Sequence, residues 1–192
     1  SGSLPTRNRW HLTEQVSLAF GYGITATPLQ IAHAYSVFAN GGEQQPLSLL
    51  KVEEALPPGD PVVSSAIAAR VLQVLNAVTG EHGTARRARV PGYEVGGKTG
   101  TVHKVGPQGY IDDEYVALFA GIAPIDNPRI VSVVVINGPR GDDYGGGSAA
   151  APVFSTVTRG ALRLLNVPPS EQQDGEATAV ARTAPSRQGG AV

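Results

Sequence analysis

The chain has 192 residues, with 15 lysines and arginines against 16 aspartates and glutamates, so its formal net charge is -1. This balance gives no electrostatic reason to expect nucleic acid or an acidic membrane as a partner, and it disfavours a nucleic-acid-binding module. Cysteine is absent, which excludes disulfides and thiolate metal sites, and no apolar run reaches the roughly 18 residues that span a bilayer, so any membrane anchor is expected outside this chain.

The first part of the chain is expected to be mainly helical. A short helix is predicted over Thr13 to Ala19. Thr27 is a good N-cap and Pro28 suits the first helical position, so a second helix is predicted to begin there and to stop at Asn40-Gly41-Gly42. Pro46 to Val52 then reads as a short strand.

A third helix is predicted after the proline-rich turn that follows. Ser64 or Ser65 can cap it, and it is expected to run to Val78, with Gly80 ending it. Its apolar stripe consists of Ile67, Val71, Val74, Leu75 and Val78.

Three strands are predicted in succession over Glu94–Lys104, Val116–Ala123 and Arg129–Asn137. Their short Gly- or Pro-bearing connections indicate antiparallel neighbours, that is, a β-meander. A last helix, Pro152 to Leu165, is expected to pack across this sheet. The face assigned to that contact consists of Val153, Val157, Ala161, Leu164 and Leu165. The whole pattern predicts an α/β fold of the α+β type, an antiparallel sheet flanked by helices.

The C-terminal end has a different composition. Residues 170–192 are rich in Glu, Gln, Ala, Thr, Ser and Gly and show no periodicity, so they are predicted to form a disordered tail. Residues 1–169 are expected to form a single folded unit.

The run from Gly97 to Thr101 reads Gly-Lys-Thr-Gly-Thr and lies on a predicted edge strand. A Lys-Thr-Gly element occurs in serine β-lactamases and penicillin-binding proteins. Two further blocks flank it, residues 21–30 (GYGITATPLQ) and residues 145–154 (GGGSAAAPVF). Together the three blocks resemble the C-terminal half of the transpeptidase domain of class B penicillin-binding proteins, most closely the cell-division type often called penicillin-binding protein 3, from about Leu4 to Pro169.

The resemblance implies a serine acyl-transfer enzyme that cross-links peptidoglycan during septation. Its substrate is the D-Ala-D-Ala end of a stem peptide, and β-lactams imitate that dipeptide. It further implies division-machinery partners and a place on the periplasmic face of the bacterial inner membrane. No cofactor or metal is expected, for reasons that lie in the glycine and histidine patterns given below.

Site roles follow from the resemblance, residue by residue. Lys98 would face the serine as a cation and attract the substrate carboxylate, to which Thr99 and Thr101 would offer hydroxyls. The Thr101 N–H would be an oxyanion donor, and Gly100 would allow close backbone approach. Lys98 and Thr101 are therefore the candidate catalytic residues, and Thr99, Gly100 and Thr101 the candidate binding residues.

Aromatic residues extend the candidate binding site. Tyr115 and Tyr144 match positions where relatives place aromatic side chains around the ligand, whereas Gly145 stands where a second aromatic is common. His103 lies where relatives carry a basic side chain, and a surface histidine is the simpler interpretation.

The nucleophile that this chemistry needs is not recognisable in the chain. Ser48-Leu49-Leu50-Lys51 fits a Ser-x-x-Lys pattern, but a strand over Pro46 to Val52 would point its serine and lysine to opposite faces, and it lies after the Thr27 helix. No Ser-x-Asn triplet occurs. The chain is therefore expected to be part of a larger domain and inactive alone, since loss of a serine nucleophile costs on the order of 10⁶ in turnover.

Other motif matches are weaker. Gly21-x-Gly23-x-x-Ala26 fits a dinucleotide fingerprint, but no strand clearly precedes it. Ser148 sits in an incomplete nucleophile-elbow pattern. Four histidines are too scattered for a metal site: His11, His33, His82 and His103.

Two alternatives to a septal transpeptidase stay open at this level. One is another serine enzyme with the same element: a class A penicillin-binding protein, a D,D-carboxypeptidase or a β-lactamase. The other is a non-catalytic penicillin-binding or sensor domain that kept the fold and lost turnover.

Overall fold

The computed structural model describes residues 2–3, 9–53, 57–107, 109–141 and 143–170. Within these ranges the helices are α1 (Leu12–Ala19), α2 (Pro28–Ala39), α3 (Ser65–Ala77) and α4 (Ala151–Leu164). The strands are β1 (Glu43–Gln44), β2 (Asp60–Pro61), β3 (Gly96–Gly106), β4 (Gly109–Ala123) and β5 (Ile130–Asn137). A 3₁₀ turn covers Arg86–Ala88, and a π-helical turn, Gly146–Ala150, leads directly into α4.

The predicted meander is confirmed as an antiparallel sheet with the order β3-β4-β5. In the register, Thr101 lies opposite Ala117 and His103 lies opposite Tyr115. The β3–β4 hairpin extends further than predicted, because β4 begins at Gly109 rather than at Val116. Its added part is polar and exposed, so no apolar run marked it in the sequence.

Local capping explains where the main helices begin. The Thr27 hydroxyl accepts the Gln30 N–H at 3.2 Å, and the Gln30 side chain accepts the Thr27 N–H at 2.8 Å. This reciprocal pair satisfies two donors that the helix would otherwise leave open. The Ser64 hydroxyl accepts the Ile67 N–H at 3.3 Å in the same way. Both predicted helix starts are confirmed.

The strand predicted over Pro46 to Val52 is wrong. Ser48 Oγ donates to the Leu50 carbonyl at 2.8 Å and accepts the Leu50 N–H at 3.1 Å, which closes a local turn. Leu49 is fully exposed, at 100%. β-Propensity needs a neighbouring strand to be realised, and the pairing in this region involves the two-residue strands β1 and β2 instead.

Helices cover both faces of the main sheet. α4 packs on one face, where Phe119 of β4 meets Phe154 edge-on with ring centroids 4.8 Å apart. A Cβ at Gly121 would lie 2.7 Å from the Phe154 ring, so the absence of a side chain there makes room for it. On the other face, Gly96 lies against the backbone of α3 at Leu75 and Asn76.

The face of α4 predicted to contact the sheet is wrong. Val153, Val157 and Leu164 are 41%, 54% and 84% exposed. The buried residues are Ala151, Phe154, Thr158 and Leu162. Thr158, in the centre of the buried face, makes that face look polar in the sequence. The fit of Phe154 against Gly121 determines which side of α4 faces the sheet.

Ser170, the first residue of the predicted tail, is hydrogen-bonded to the folded part of the chain. Ser170 is held by the Gly92 carbonyl, which accepts its N–H at 2.9 Å, and its hydroxyl accepts the Glu94 N–H at 3.1 Å. Residues 171–192 lie outside the described residues. No helix in the part that the structure describes is long and apolar enough to cross a membrane.

Candidate active site

The Lys-Thr-Gly residues lie on β3, which among the described residues pairs with β4 and with no other strand. Side chains alternate along a strand, so Thr99 and Thr101 share the face that packs towards α4, whereas Lys98 and Gly100 lie on the opposite face. Lys98 is exposed, and its Nζ donates to the Thr99 carbonyl at 2.7 Å. A Cβ at Gly100 would lie 3.2 Å from the Leu118 side chain.

The π-helical turn before α4 comes directly against this strand. The Gly146 N–H donates to Thr101 Oγ1 at 3.0 Å. A Cβ at Gly146 would overlap the carbonyl oxygens of Leu118 and Gly100, so only glycine permits this approach. Because the Thr101 oxygen already accepts one hydrogen bond, its own hydrogen is free to donate to a ligand.

A segment that the sequence analysis missed completes this part of the site. Thr84 Oγ1 lies 3.4 Å from Thr99 Oγ1, which places a further hydroxyl beside that of Thr99. Arg87 forms an ion pair with Asp143 at 3.0 Å and donates to the Ser148 carbonyl at 3.4 Å. No sequence motif could have linked Arg87 to Asp143, because 56 positions separate them.

Tyr115 and Tyr144 lie together at the far end of this face. Their rings stack at 4.1 Å with an interplanar angle of 17°, and the His103 ring lies 4.4 Å from Tyr115. Partial burial raises the pKa of Tyr115 above its ordinary value, and Tyr144 and the carboxylates of Asp113 and Asp112 add to this in the same direction. His103 is exposed at the surface but belongs to this aromatic stack.

The weaker motifs have local structural explanations. Ser148 Oγ donates to the Gly145 carbonyl at 3.1 Å, within a turn. Ser48 lies in the turn described above rather than on a helix with Lys51. The glycines at 21 and 23 do not open a helix, since Thr27 caps α2. Within the described ranges, no cluster of His, Asp or Glu is suited to a metal ion.

The arrangement is suited to binding an anion. The hydroxyl groups of Thr99 and Thr101 share one face of β3, and that of Thr84 lies beside Thr99. The Lys98 ammonium lies on the opposite face of the same strand and donates to the Thr99 carbonyl. Such groups can donate to a carboxylate. The arrangement does not itself supply a serine activated by a neighbouring base among these residues.

Comparisons with known proteins identify the family. Residues 1–159 match the family described as the penicillin binding protein transpeptidase domain. The peptidoglycan D,D-transpeptidase FtsI of Escherichia coli is 39% identical over 176 residues, which are 92% of this chain and 30% of that protein. The probable peptidoglycan D,D-transpeptidase PbpC of Pseudomonas aeruginosa is 40% identical over 184 residues, 93% of this chain and 31% of that protein.

A solved structure has the same fold. The apo TP domain of Burkholderia pseudomallei penicillin-binding protein 3 is 40% identical, with a TM-score of 0.82, and the match covers 89% of this chain and 52% of that one. The chain thus spans less than a third of the two curated relatives and about half of the solved domain. The resemblance inferred from the Lys-Thr-Gly strand is confirmed, and the chain belongs to the penicillin-binding protein transpeptidase domain family.

Proposed function

We propose that residues 1–169 are the C-terminal portion of a peptidoglycan D,D-transpeptidase domain whose serine nucleophile lies in sequence outside this chain. The observation that carries the proposal is the cluster at β3, where the hydroxyls of Thr99 and Thr101 lie beside the Gly146 turn. The named transpeptidases among the relatives support the same reaction.

Each β3 residue has a role in this proposal. The hydroxyls of Thr99 and Thr101 bind the C-terminal carboxylate of the stem peptide, and the Lys98 ammonium supplies positive charge and assists proton transfer. The Thr101 N–H donates to the oxyanion, a contribution typically of about 10² to 10³ in rate. Gly100, which has no side chain, allows the ligand to approach the β3 backbone closely. Tyr115 and Tyr144 form an aromatic wall for the ligand.

The reaction is acyl transfer in two steps. The serine oxygen attacks the carbonyl of the penultimate D-Ala, the peptide C–N bond breaks, and the terminal D-Ala leaves as an amine that takes up a proton. An amine from a second peptidoglycan strand then attacks the ester, forms the cross-link and returns a proton to the serine. A β-lactam acylates the same serine but loses no leaving group, because its ring only opens.

The proposal includes the cellular location of the protein and its partners. A septal transpeptidase would act on the periplasmic face of the inner membrane, with its anchor outside this chain and with division proteins as partners. The supporting observation is the similarity to FtsI of Escherichia coli. Fractionation of the native protein, and its position in dividing cells, test this setting.

The decisive experiment is the intact mass after incubation with a β-lactam. We would compare this chain alone with the longer protein that joins it to the preceding part of the domain. An adduct only on the longer form, mapped to an upstream serine, supports the proposal. An adduct on the short chain would place the nucleophile here and return attention to Ser48.

A second measurement separates the alternatives. Cross-linking of a stem peptide to an acceptor amine by the acylated longer protein supports a transpeptidase. Rapid hydrolysis of the adduct by water would instead indicate a carboxypeptidase or β-lactamase. Stable acylation without any turnover of a peptide would indicate a non-catalytic penicillin-binding domain.

A further inference from the structure

Arg87 contacts both ends of one short segment. Its Nη1 lies 3.0 Å from Asp143 Oδ2 and 3.4 Å from the Ser148 carbonyl oxygen. Asp143 and Ser148 bracket Tyr144 and Gly146, two residues that reach the candidate site. The 3₁₀ turn that carries Arg87 is itself anchored, because Ala85, which precedes the turn, and Ala88, its last residue, are fully buried.

The bracketed segment determines two features of the site. The Gly146 N–H orients the Thr101 hydroxyl, leaving the hydroxyl hydrogen to donate elsewhere. Tyr144 stacks on Tyr115 at 4.1 Å and so shapes the aromatic wall. Neither contact survives if the segment moves away from β3.

We infer that Arg87 is a positioning residue for ligand binding, which holds the segment from Asp143 to Ser148 against β3; this inference rests on the proposed function. Arg87 acts on the ligand through Asp143 and the segment rather than by direct contact. The ion pair is exposed, with side-chain exposures of 58% and 69%, so its contribution to folding is small and its effect is on where the segment lies relative to β3.

Acylation of the longer protein by a β-lactam tests the inference. We expect Arg87→Gln to weaken the binding step by about twofold to fivefold, the effect of losing one exposed ion pair, with little change in the acylation rate constant. Asp143→Asn should give the same loss, and the double variant should be no worse than either single one. Arg87→Lys should recover only part of the lost binding, because both contacts are made from the Nη1 position and the shorter lysine side chain, with its compact and strongly hydrated ammonium, does not place a donor there.

Arg86 provides the matched control. It lies on the same turn and carries the same charge, and Arg86→Gln should leave binding unchanged. Salt gives a second control: raising ionic strength should shrink the difference in binding between the wild type and Arg87→Gln, because the exposed ion pair is screened only in the wild type. Equal behaviour of the Arg86 and Arg87 variants would overturn the inference. A loss in Arg87→Gln without one in Asp143→Asn would mean that Arg87 contacts the ligand directly, which also overturns it.

A measurement on the chain itself is independent of acylation. The Gly146 amide is hydrogen-bonded to Thr101, so its hydrogen exchange reports on the position of the segment. Exchange should be faster in Arg87→Gln and Asp143→Asn than in Arg86→Gln. If the longer protein is never acylated but this pattern holds, the proposed function fails and the positioning role stands. Equal exchange in all three variants would refute the positioning role whatever the acylation result.

Discussion

Helices α1 and α4 are both amphipathic segments, but they differ completely in what they bury. α4 places Phe154 and Leu162 at 0% exposure against the sheet. α1 buries none of its residues: its first residue, Leu12, is 76% exposed, and Phe20, which follows its last residue, is 69% exposed. An apolar pattern stabilises a helix only where a complementary surface exists, so we expect the folding energy of this chain to be concentrated in the sheet and α4.

The candidate site lies on the well-packed side. Thr101, the Gly146 turn and the 3₁₀ turn with Arg87 all meet on the face of the sheet that α4 covers. Rigid packing under a binding site holds its polar groups in place. The comparison therefore predicts that substitutions in the two regions have different consequences.

Removing the central ring on the α4 side should have the largest effect. Phe154→Ala is expected to lower the free energy of unfolding by about 3–5 kcal/mol, because it leaves a cavity beside Phe119. Phe20→Ala, the matched control near α1, should change it by less than about 0.5 kcal/mol. Denaturant unfolding of the chain measures both. Equal losses would contradict the contrast between the two regions.

The second-largest effect is expected from adding one methyl group at Gly146, in the π-helical turn that lies against β3. Gly146→Ala is expected to cost about 1–3 kcal/mol through overlap with Gly100 and Leu118, and to reduce β-lactam acylation of the longer protein. Gly160→Ala, on the exposed side of α4 with open space around it, should instead stabilise by about 0.5–1 kcal/mol. A destabilising Gly160→Ala would show that helix propensity is not the limiting factor there.

Two buried threonines sharpen the comparison within the packed region. Thr79 donates to the Val95 carbonyl at 2.7 Å, so Thr79→Val should cost about 1–3 kcal/mol by leaving that acceptor unpaired.

The Thr158 hydroxyl is buried without a hydrogen-bond partner among the described residues, so Thr158→Val should stabilise by up to about 1 kcal/mol. Thermal unfolding measures the stability of both variants. Lower stability of Thr158→Val would contradict the prediction and would indicate that the Thr158 hydroxyl is hydrogen-bonded to water.

The smallest expected effect is the pH dependence of stability that Tyr115, in the aromatic wall, contributes. Because its pKa is raised, Tyr115 keeps its proton in the folded chain above pH about 10, where the unfolded chain loses it. Stability should therefore fall as pH rises from the ordinary tyrosine pKa through the raised one. The difference in tyrosinate absorbance between wild type and Tyr115→Phe isolates this group. Titration at the ordinary pKa would contradict the partial burial of Tyr115.

Much of the architecture was predictable because its signals are local. Thr27 with Pro28, and Ser64, mark helix starts through hydrogen bonds within one turn. The three main strands were found from apolar runs and turn residues. The Lys-Thr-Gly strand and its flanking blocks indicated the family, which the comparisons confirmed.

The errors share a physical origin in contacts between distant segments. The strand predicted over Pro46 to Val52 failed because β structure requires a pairing partner, and the Ser48 turn satisfies the backbone instead. The sequence pattern predicts the wrong face of α4 because Thr158 interrupts the apolar pattern of the face that Phe154 and Leu162 bury.

The amino-acid sequence by itself determined the caps and the meander and indicated the family, since each of these signals lies in neighbouring residues of the chain. Only the tertiary structure decided which side of α4 is buried, how Gly146 reaches Thr101, and that Arg87 pairs with Asp143. These depend on the complementarity of surfaces far apart in sequence, such as the ring of Phe154 against the bare backbone of Gly121, which no local pattern encodes.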